Sequence, residues 1–437
     1  MNNLRLLAGL LSVALLSGGV CSYGQSVITL EEIFKAAEAN STQLRPSFTA
    51  QTEAEREISV ARADRLPDIN ASLSRSYIGN GFTTGRSFND YQKAPIPHFG
   101  NGLSLNVTQP VYTGGAKKQA IELAELKSTA ARYATDLQCD NIRFQLTGFY
   151  LDIYKYTNLR RVIENNISAA RKVLEEMQAR YGQGTALLND ITRYELLVSN
   201  LELQLVRINN TLDILNADLV TTAGLSDGTV VVPDSSILVH SLPMEEEGRW
   251  QQEAMENSPS LNLARSAVDI NRKAEVIVRS ERRPNIGLRA SWTLDGPILV
   301  EVPPINRNLS YWYVGIGISY NLSSLHKSNK SLIKKRAATQ KAIEEFDAAR
   351  ESVSLAVRAD HIRYLEAYEE LKTQEKSVEL AERNYRTIST RYSADMALIT
   401  DMLDAANAKL DAEQQLVNAR INIIYYYYKL LFTTGKI

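Results

Sequence analysis

Cysteine and histidine are scarce in this sequence. Its 437 residues contain two cysteines, Cys21 and Cys139, and Cys21 lies in the N-terminal targeting segment described below. The one remaining thiol cannot staple an exported chain, so stability has to come from packing or oligomerisation. The four histidines lack the spacing of metal ligands; they are His98, His240, His326 and His361. No metal site is therefore expected.

An excess of charge and the common catalytic motifs are also missing. The formal net charge is −1, whereas a surface that binds nucleic acid needs a clustered positive excess. This balance argues against nucleic acid as a partner. The sequence has no phosphate loop, no glycine-rich nucleotide motif and no nucleophile elbow. We expect neither an enzyme activity nor a cofactor.

Proline is absent from two long blocks of the chain. All twelve prolines lie outside residues 111–232 and 305–437. Because proline costs about 3 kcal/mol inside a helix, long proline-free blocks rich in alanine, leucine, glutamate, lysine and arginine are typical of long helices. The bulk of the chain is therefore predicted to be helical.

Long hydrophobic runs are confined to the N-terminus. Residues 1–24 are predicted to be a signal peptide, with Arg5 as its positive region, Leu6–Leu16 as its apolar region and residues 22–24 as a cleavage site. Lipidation at Cys21 is the competing interpretation, although the residues before it fit a lipoprotein box poorly. Elsewhere no run reaches the roughly 20 apolar residues of a transmembrane helix.

Four segments alternate apolar and polar residues, which is typical of β-strands. They lie at about residues 68–78, 102–112, 285–294 and 311–321. Each has one apolar and one polar face, with aromatic residues near its ends, as in membrane barrel strands. A half-buried sheet in a soluble protein would alternate in the same way, but the export signal favours the membrane. Because four strands cannot close a barrel and open edges are not tolerated in lipid, the chain is expected to oligomerise.

Helices are predicted before and after each pair of strands. The first covers Thr29–Ala63, and Pro67 follows it. After the second strand the helical pattern runs to Tyr181, with an interruption expected near Tyr156–Arg160. Polar breaks at about 182–189 and 393–400 predict the tips of two long helical hairpins. Gly224 is expected to end the first return helix.

The sequence is internally duplicated. Arg180-Tyr181 recurs 211 positions later as Arg391-Tyr392, and Asn40-Ser41 recurs 217 positions later as Asn257-Ser258. The first repeat is predicted to span residues 25–232 and the second 249–437, with a linker at 233–248. The offset falls because the loop between the third and fourth strands is shorter than the loop at 78–100, and loops tolerate such changes.

Taken together, three motifs resemble the outer-membrane efflux proteins, the TolC-type exit ducts. They are Gln109–Gly115 after the second strand, the two tips, and Asp401–Ala405 leading into Ala419–Asn422. The resemblance covers essentially the whole chain after the signal peptide. It implies a mainly α-helical fold with a transmembrane β part, in which three copies of four strands close a twelve-stranded barrel continued by a long periplasmic α-helical barrel. Ser323–His326 departs from the family pattern, since a glycine pair would often follow the fourth strand.

The resemblance implies a pore constriction at the second tip. Asp401 and Asp404 are three residues apart and so share a helix face. They match the family's aperture motif, which would give six carboxylates per trimer and a ring that attracts cations. The alternative from spacing alone is that Asp401 caps the rising helix, where a carboxylate is favourable.

The resemblance also implies gate tethers and docking surfaces. Tyr392 matches a tyrosine that tethers the inner tip to the outer one, and Asn189 and Asp190 match its partner segment on the first repeat. An arginine that often joins this clasp is replaced by Ala397. The alternative for Tyr392 is an aromatic ring packed between helices. The expected adaptor-docking residues are Gly182, Gln183, Gly184, Thr185, Ser393, Ala394, Asp395 and Met396.

The expected function is passive export. A homotrimer in the outer membrane would receive substrate from an inner-membrane transporter through a periplasmic adaptor and release it outside. A periplasmic coiled-coil adaptor or scaffold is the alternative, because it would also have long helical hairpins. Adaptors, however, lack two pairs of amphipathic strands.

Overall fold

The computed structural model describes residues 26–234, 242–301 and 304–437. The predicted signal peptide, Cys21 and part of the predicted linker at 233–248 lie outside the described residues. Two compact units can be distinguished. Within the described chain, the first unit comprises residues 26–40 and 149–234, and the second comprises residues 41–148 and 242–437 except 302–303.

The first unit is built from helices and a two-stranded sheet. Its elements are β1 (Ser26–Ile28), α1 (Leu30–Asn40), the second half of α3 (Ala116–Gly182), α4 (Leu188–Ala223) and β6 (Val231–Pro233), with β1 parallel to β6. Thr29 caps α1, because its hydroxyl accepts the Glu32 N–H and the Glu32 carboxylate accepts the Thr29 N–H. The buried Tyr150 hydroxyl donates to the Ile28 carbonyl at 3.0 Å and accepts the Asp234 N–H at 2.7 Å. This ring therefore ties the ends of both strands to α3.

The second unit contains a four-stranded antiparallel sheet. Its strands are β2 (Asp68–Tyr77), β5 (Phe99–Thr113), β7 (Asn285–Gly296) and β8 (Leu309–Ser319), in the order β2-β5-β7-β8. Each half of the sequence contributes one hairpin, and pairing of β5 with β7 joins the two. The strands β2 and β8 form the edges.

Long helices make up the rest of the second unit. They are α2 (Arg45–Ala63), the first half of α3, α5 (Glu247–Asn257), α6 (Pro259–Ser280), α7 (Ser324–Ser393) and α8 (Ile399–Thr434). At about 1.5 Å per residue, the 70 residues of α7 extend for about 105 Å. A core of Trp250, Val357, Tyr364 and Leu430 holds α5, α7 and α8 together. Helices of this length need such neighbours to cover their apolar stripes.

The prediction of one helix over Thr29–Ala63 is wrong. The structure has two helices, α1 and α2, separated by a turn at residues 41–44. Pro46 lies in the first turn of α2. Proline is favourable there because it lacks the N–H that helix interiors need, and it prevents α1 from continuing.

The predicted interruption near Tyr156–Arg160 is also wrong, because α3 is continuous from Ala116 to Gly182. The Asn158 side chain, which could have competed with the backbone, donates to the Tyr154 carbonyl four residues earlier. The segment has neither proline nor glycine to break the helix. The predicted stop at Gly224 is confirmed, since this residue has φ 65° and caps α4.

Two regions expected to be irregular contain short strands. The loop at 78–100 includes the hairpin β3 (Gly81–Thr83) and β4 (Gln92–Ala94), and β6 ends at Pro233, the first residue of the predicted linker. The second strand, predicted at about 102–112, is longer than predicted, because β5 begins at Phe99 and continues through Pro110 to Thr113. A register shift between Pro110 and Tyr112 accommodates the proline, which has no N–H to donate.

None of the helices in the described ranges combines the length and hydropathy needed to span a membrane.

Candidate functional site

One face of the four-stranded sheet is apolar apart from Ser310 at one edge. Three rows of side chains, one residue per strand in the order of the sheet, form it: Ile69-Val107-Ala290-Val314, Ala71-Leu105-Trp292-Trp312 and Leu73-Leu103-Leu294-Ser310. Many of these side chains are exposed to solvent. Leu73 is 81% exposed, and Ile316, further along β8, is 74% exposed. An apolar surface of this extent requires a lipid or protein partner.

The opposite face of the sheet is polar. The corresponding rows are Asp68-Thr108-Arg289-Gly315, Asn70-Asn106-Ser291-Tyr313 and Ser72-Ser104-Thr293-Tyr311. Side chains bond across the strands: the Ser72 and Ser104 hydroxyls are 2.8 Å apart, and the Ser291 hydroxyl donates to the Asn106 side-chain oxygen at 2.8 Å. The sheet thus separates an apolar surface from a hydrated one, as membrane barrel strands do.

The second hairpin tip lies between α7 and α8, and hydrogen bonds to the last turn of α7 shape it. The Met396 N–H donates to the Arg391 carbonyl at 2.8 Å, and the Asp395 N–H donates to the Tyr392 carbonyl at 3.1 Å. This pair of bonds is a Schellman motif, which places the residue after the helix cap in the left-handed region. Asp395 is that residue, with φ 58°. The chain then turns through Ala397 into α8.

Asp401 occupies the first turn of α8. Its carboxylate accepts the Leu398 N–H at 3.1 Å, so the interpretation of Asp401 as a capping residue is correct. The side chains of Asp401 and Asp404 both remain exposed. Capping therefore does not prevent these carboxylates from facing a solvent-filled opening. Their predicted place in a pore constriction stays a prediction.

The first hairpin tip, in the first unit, has the same backbone. The Thr185 N–H donates to the Arg180 carbonyl at 2.9 Å, the Gly184 N–H donates to the Tyr181 carbonyl at 2.9 Å, and Gly184 has φ 75°. Each of these residues lies 211 positions before its counterpart in the second tip. Asn189 is exposed and Asp190 half-buried in the first turn of α4. The pairing of Asp190 with Tyr392 stays a prediction.

The two tips differ in charge. Asp190 and Arg193 of the first tip correspond to Asp401 and Asp404 of the second. Gly184 likewise corresponds to Asp395. At these three positions the first tip has one carboxylate, one guanidinium and one glycine, whereas the second tip has three carboxylates. The duplicated backbone presents an acidic surface only at the second tip.

Two exposed leucines at the tips were missed from the sequence. Leu187 and Leu398 precede the return helices with extended dihedral angles and are 68% and 69% exposed. They lie beside the predicted docking residues, which are exposed in both tips. Their recurrence after 211 positions is the signal that the sequence offers for them. A leucine in a helical pattern ordinarily predicts a core residue, and for that reason neither was predicted to be exposed.

Several ionisable groups outside the tips and the sheet have shifted pKa values, among them Asp140, Tyr150 and Tyr364. Burial raises the pKa of Asp140 to about 6, although the positive charge of the nearby Arg143 guanidinium acts in the opposite direction. Burial also raises the pKa of Tyr150 and of Tyr364, whose hydroxyls bond to backbone groups. Within the described ranges, no group of three or more histidines, cysteines or carboxylates could hold a metal ion.

A family model of outer membrane efflux proteins matches residues 33–225 and 250–433, which is most of the chain. The protein belongs to the outer membrane efflux protein family. The resemblance to TolC-type ducts is thereby confirmed.

Individual relatives agree with this membership. The efflux protein is 23% identical over 400 residues to the outer membrane protein TolC of Vibrio cholerae, an alignment that covers 90% of this chain and 88% of the relative. It is also 23% identical over 429 residues to the pyoverdine export outer membrane protein OpmQ of Pseudomonas aeruginosa, covering 92% of this chain and 84% of that one. Among solved structures, the outer membrane protein VceC of Vibrio cholerae superposes with a TM-score of 0.76 at 17% identity, covering 93% of this chain and 96% of that chain.

The predicted fold class, function and location are confirmed at the level of the family. The protein is an outer-membrane efflux duct with a transmembrane β part and a helical part in the periplasm. Its relatives are channels rather than enzymes.

Proposed function

We propose that the efflux protein works as a homotrimer whose sheets join into one barrel. The observation that carries this proposal is the sheet itself, with an exposed apolar face and two edge strands, β2 and β8. An open edge in lipid would leave backbone groups unsatisfied at a cost of several kcal/mol each. Pairing of β8 with β2 of the next copy removes every edge, and three copies give a twelve-stranded barrel.

The second tip forms the constriction of this duct. Asp401 and Asp404 from each copy line the periplasmic opening as a ring of six carboxylates. Their exposure supports this role, as does the contrast with the first tip, where Arg193 corresponds to Asp404. A dense carboxylate ring attracts cations and repels anions.

Gate tethers hold the tips in the closed state. Tyr392 of the second tip bonds to Asp190 of the first, with Asn189 beside it. Ala397 cannot supply the arginine that often strengthens this clasp in the family, so a single weak tether remains. We expect the closed state to be less firmly held for that reason.

The tips also form the docking surface for a periplasmic adaptor. Gly182–Thr185 and Ser393–Met396 contribute exposed backbone and exposed side chains, among them the apolar side chain of Met396. Leu187 and Leu398 add an exposed apolar side chain to each tip. An adaptor bound there delivers substrate from an inner-membrane transporter, which supplies the energy for export.

Trimer formation can be tested with variants on the two faces of the sheet. Wild-type protein is expected in outer-membrane fractions as a heat-modifiable trimer. Val314→Arg in the middle of the apolar face should abolish insertion, because arginine costs about 2–4 kcal/mol at the middle of the lipid-facing surface. Thr293→Arg on the polar face is the matched control and should insert and assemble.

A soluble periplasmic protein would overturn the proposal in favour of the adaptor alternative. Such a protein would remain in the periplasmic fraction and would not form heat-modifiable trimers. It would also tolerate both arginine substitutions equally, since neither face would contact lipid.

A further inference from the structure

A cavity of about 410 Å³ lies where β5 ends and α3 begins. Three basic residues line it, namely Arg65, Lys117 and Lys118. No carboxylate belongs to its lining. The cavity belongs to neither tip, and export through the duct gives it no role.

The register of the sheet locates this cavity at one end of the apolar face. Gln109 pairs with Leu288, and Tyr112 pairs with Ile286, so both continue the apolar face of β7. Both also line the cavity. Because the helices occupy the periplasm, this end of the strands meets the periplasmic leaflet of the membrane. Basic and aromatic side chains are typical of that level, where lipid headgroups begin.

The positive charge of the cavity is only partly neutralised. The Lys117 ammonium is 3.7 Å from the Asp64 carboxylate, and the Lys118 ammonium is 3.9 Å from Glu122. Both contacts are long, and Glu122 is held more closely by Lys273 at 2.6 Å. Within the described chain, the Arg65 guanidinium has no hydrogen-bonding or ionic partner. A positive excess therefore faces the cavity.

Hydrogen bonds fix the walls of the cavity before any ligand binds. The Gln109 side-chain amide donates to the Arg65 carbonyl at 2.9 Å and to the Pro110 carbonyl at 3.0 Å. These bonds connect the segment before β2 to the irregular end of β5. A cavity held in shape loses less entropy when a ligand enters.

We propose that this cavity binds the phosphate group of a membrane phospholipid. Arg65, Lys117 and Lys118 contact the phosphate oxygens, and Arg65 offers the forked donors that suit them. Val111 and Tyr112, both exposed, contact the glycerol and the first acyl carbons. The bound lipid attaches the end of the barrel to the periplasmic leaflet.

The test uses the full-length protein purified in detergent and native mass spectrometry of bound lipid. The probes are dihexanoyl phosphatidylglycerol, sn-glycerol 3-phosphate and inorganic phosphate, each titrated separately. The triple variant Arg65→Gln, Lys117→Gln, Lys118→Gln should bind dihexanoyl phosphatidylglycerol at least about tenfold more weakly than wild type, since each basic residue near a membrane surface contributes measurably to lipid binding.

The matched control removes the same charge from the exposed surface of α7. Lys341→Gln, Lys372→Gln, Arg383→Gln replaces one arginine and two lysines that pair with neighbouring carboxylates. Its lipid binding should stay within about twofold of wild type. The variant Lys117→Arg, Lys118→Arg keeps the charge and should bind like wild type.

Three results would overturn the proposal. Equal weakening in the control would show that only overall charge matters. Undiminished lipid binding by the triple variant would show that the cavity is not the site. Inorganic phosphate or glycerol phosphate binding as tightly as the lipid would assign the site to a free phosphate. If the triple variant does not fold, Arg65→Gln alone must weaken binding by about threefold or more, or the proposal fails. Lipid binding is measured without any conduction through the duct. Failure of the export proposal would therefore not change how the lipid-binding result is interpreted.

Discussion

The two hairpin tips have the same backbone and different charges. Arg180, Gly184 and Thr185 make the same pattern of hydrogen bonds in the first tip as Arg391, Asp395 and Met396 in the second. The side chains that follow are an opposite-charge pair in one tip and two carboxylates in the other. Local hydrogen bonding therefore determines the shape of both tips, and side-chain charge is what can distinguish their roles.

At their far ends the two return helices also have the same backbone, and here the residue is the same as well. Gly224 and Gly435 end α4 and α8 with φ 65° and 73°. A Cβ on Gly224 would lie 2.7 Å from the Asn40 carbonyl carbon, and one on Gly435 would lie 2.8 Å from the Asn257 carbonyl oxygen. Both glycines pack closely against the equivalent asparagine, whereas Gly184 at the first tip has open space around it. The two repeats therefore keep the same residue where the backbone is closely packed and differ where it is exposed.

The largest expected effect comes from adding a methyl group at such a packed glycine. Gly224→Ala should lower the free energy of unfolding by about 3 kcal/mol, because it combines a left-handed backbone with a collision against Asn40. Gly184→Ala is the matched control. It has φ 75° but open space around it, so it should cost only about 1 kcal/mol. Thermal unfolding of the two variants measures the difference.

Equal destabilisation by the two glycine variants would contradict this account. It would mean that the left-handed backbone dominates at both positions and that packing against Asn40 contributes little.

A smaller effect is expected at Asp140, which is buried in α3, whereas Glu351, 211 positions later in α7, is exposed. Folding raises the pKa of Asp140 from 3.8 to about 6, so the folded state holds this proton more tightly than the unfolded state does. The resulting contribution to the free energy of unfolding is complete below about pH 3.8 and is lost as the pH rises through about 6. Asp140→Asn, which stays neutral, should therefore stabilise the protein by roughly 2–3 kcal/mol near pH 8 and by little near pH 4.

Glu351→Gln is the control for this pH dependence, and its effect on thermal unfolding should be small at both pH values. If Asp140→Asn is no more stable than wild type near pH 8, the cost of burying the Asp140 carboxylate has been overstated.

At the tips, a smaller change should result from exchanging the residues with positive φ. Asp395→Gly should stabilise the protein by about 0.5–1 kcal/mol, because glycine adopts this left-handed backbone without a Cβ penalty. Gly184→Asp should destabilise it by a similar amount. Thermal unfolding of both variants checks the symmetry, and opposite signs are required if the backbones are equivalent.

A similarly small effect, on conductance rather than on stability, is expected from Tyr392→Phe. Loss of one tether hydrogen bond, worth about 1 kcal/mol, should raise single-channel conductance in planar bilayers by no more than about fivefold. Tyr181→Phe at the equivalent position of the first tip should leave conductance unchanged. A much larger rise in Tyr392→Phe would mean that this bond alone holds the duct closed.

Much of this fold could be predicted from the sequence, since strand alternation and helix punctuation are local signals. Gly224 was recognisable as a helix stop because glycine is the residue that most often follows a helix in left-handed backbone. The break before α2 was missed although Pro46 is its local cause. The start of β5 at Phe99 rather than at about residue 102 could not be predicted, because residues 99–101 join the strand by pairing with β2.

The turn after β8 illustrates what a motif alone cannot decide. Gly114 and Gly115 precede α3 with φ 65° and 90°, but the second repeat has no glycine pair before α7. There the Asn321 side-chain oxygen accepts the Ser323 N–H and hydroxyl instead. Side-chain capping replaces backbone freedom, and several sequences satisfy such a turn.

The candidate site was less predictable than the fold. The spacing of Asp401 and Asp404 predicts a shared helix face, and the capping bond of Asp401 agrees with ordinary helix chemistry. Whether these carboxylates surround an opening depends on neighbouring copies of the chain. That information is not contained in the local pattern of residues.

The selectivity of the reconstituted channel tests the central claim most directly, namely that the second tip is the cation-attracting constriction. The reversal potential across a planar bilayer under a potassium chloride gradient measures cation over anion permeability. Wild type and the control Asp213→Ala, Asp218→Ala should both be cation-selective, whereas Asp401→Ala, Asp404→Ala should lose most of this preference and change its conductance. Unchanged selectivity and conductance in that double variant would contradict the account.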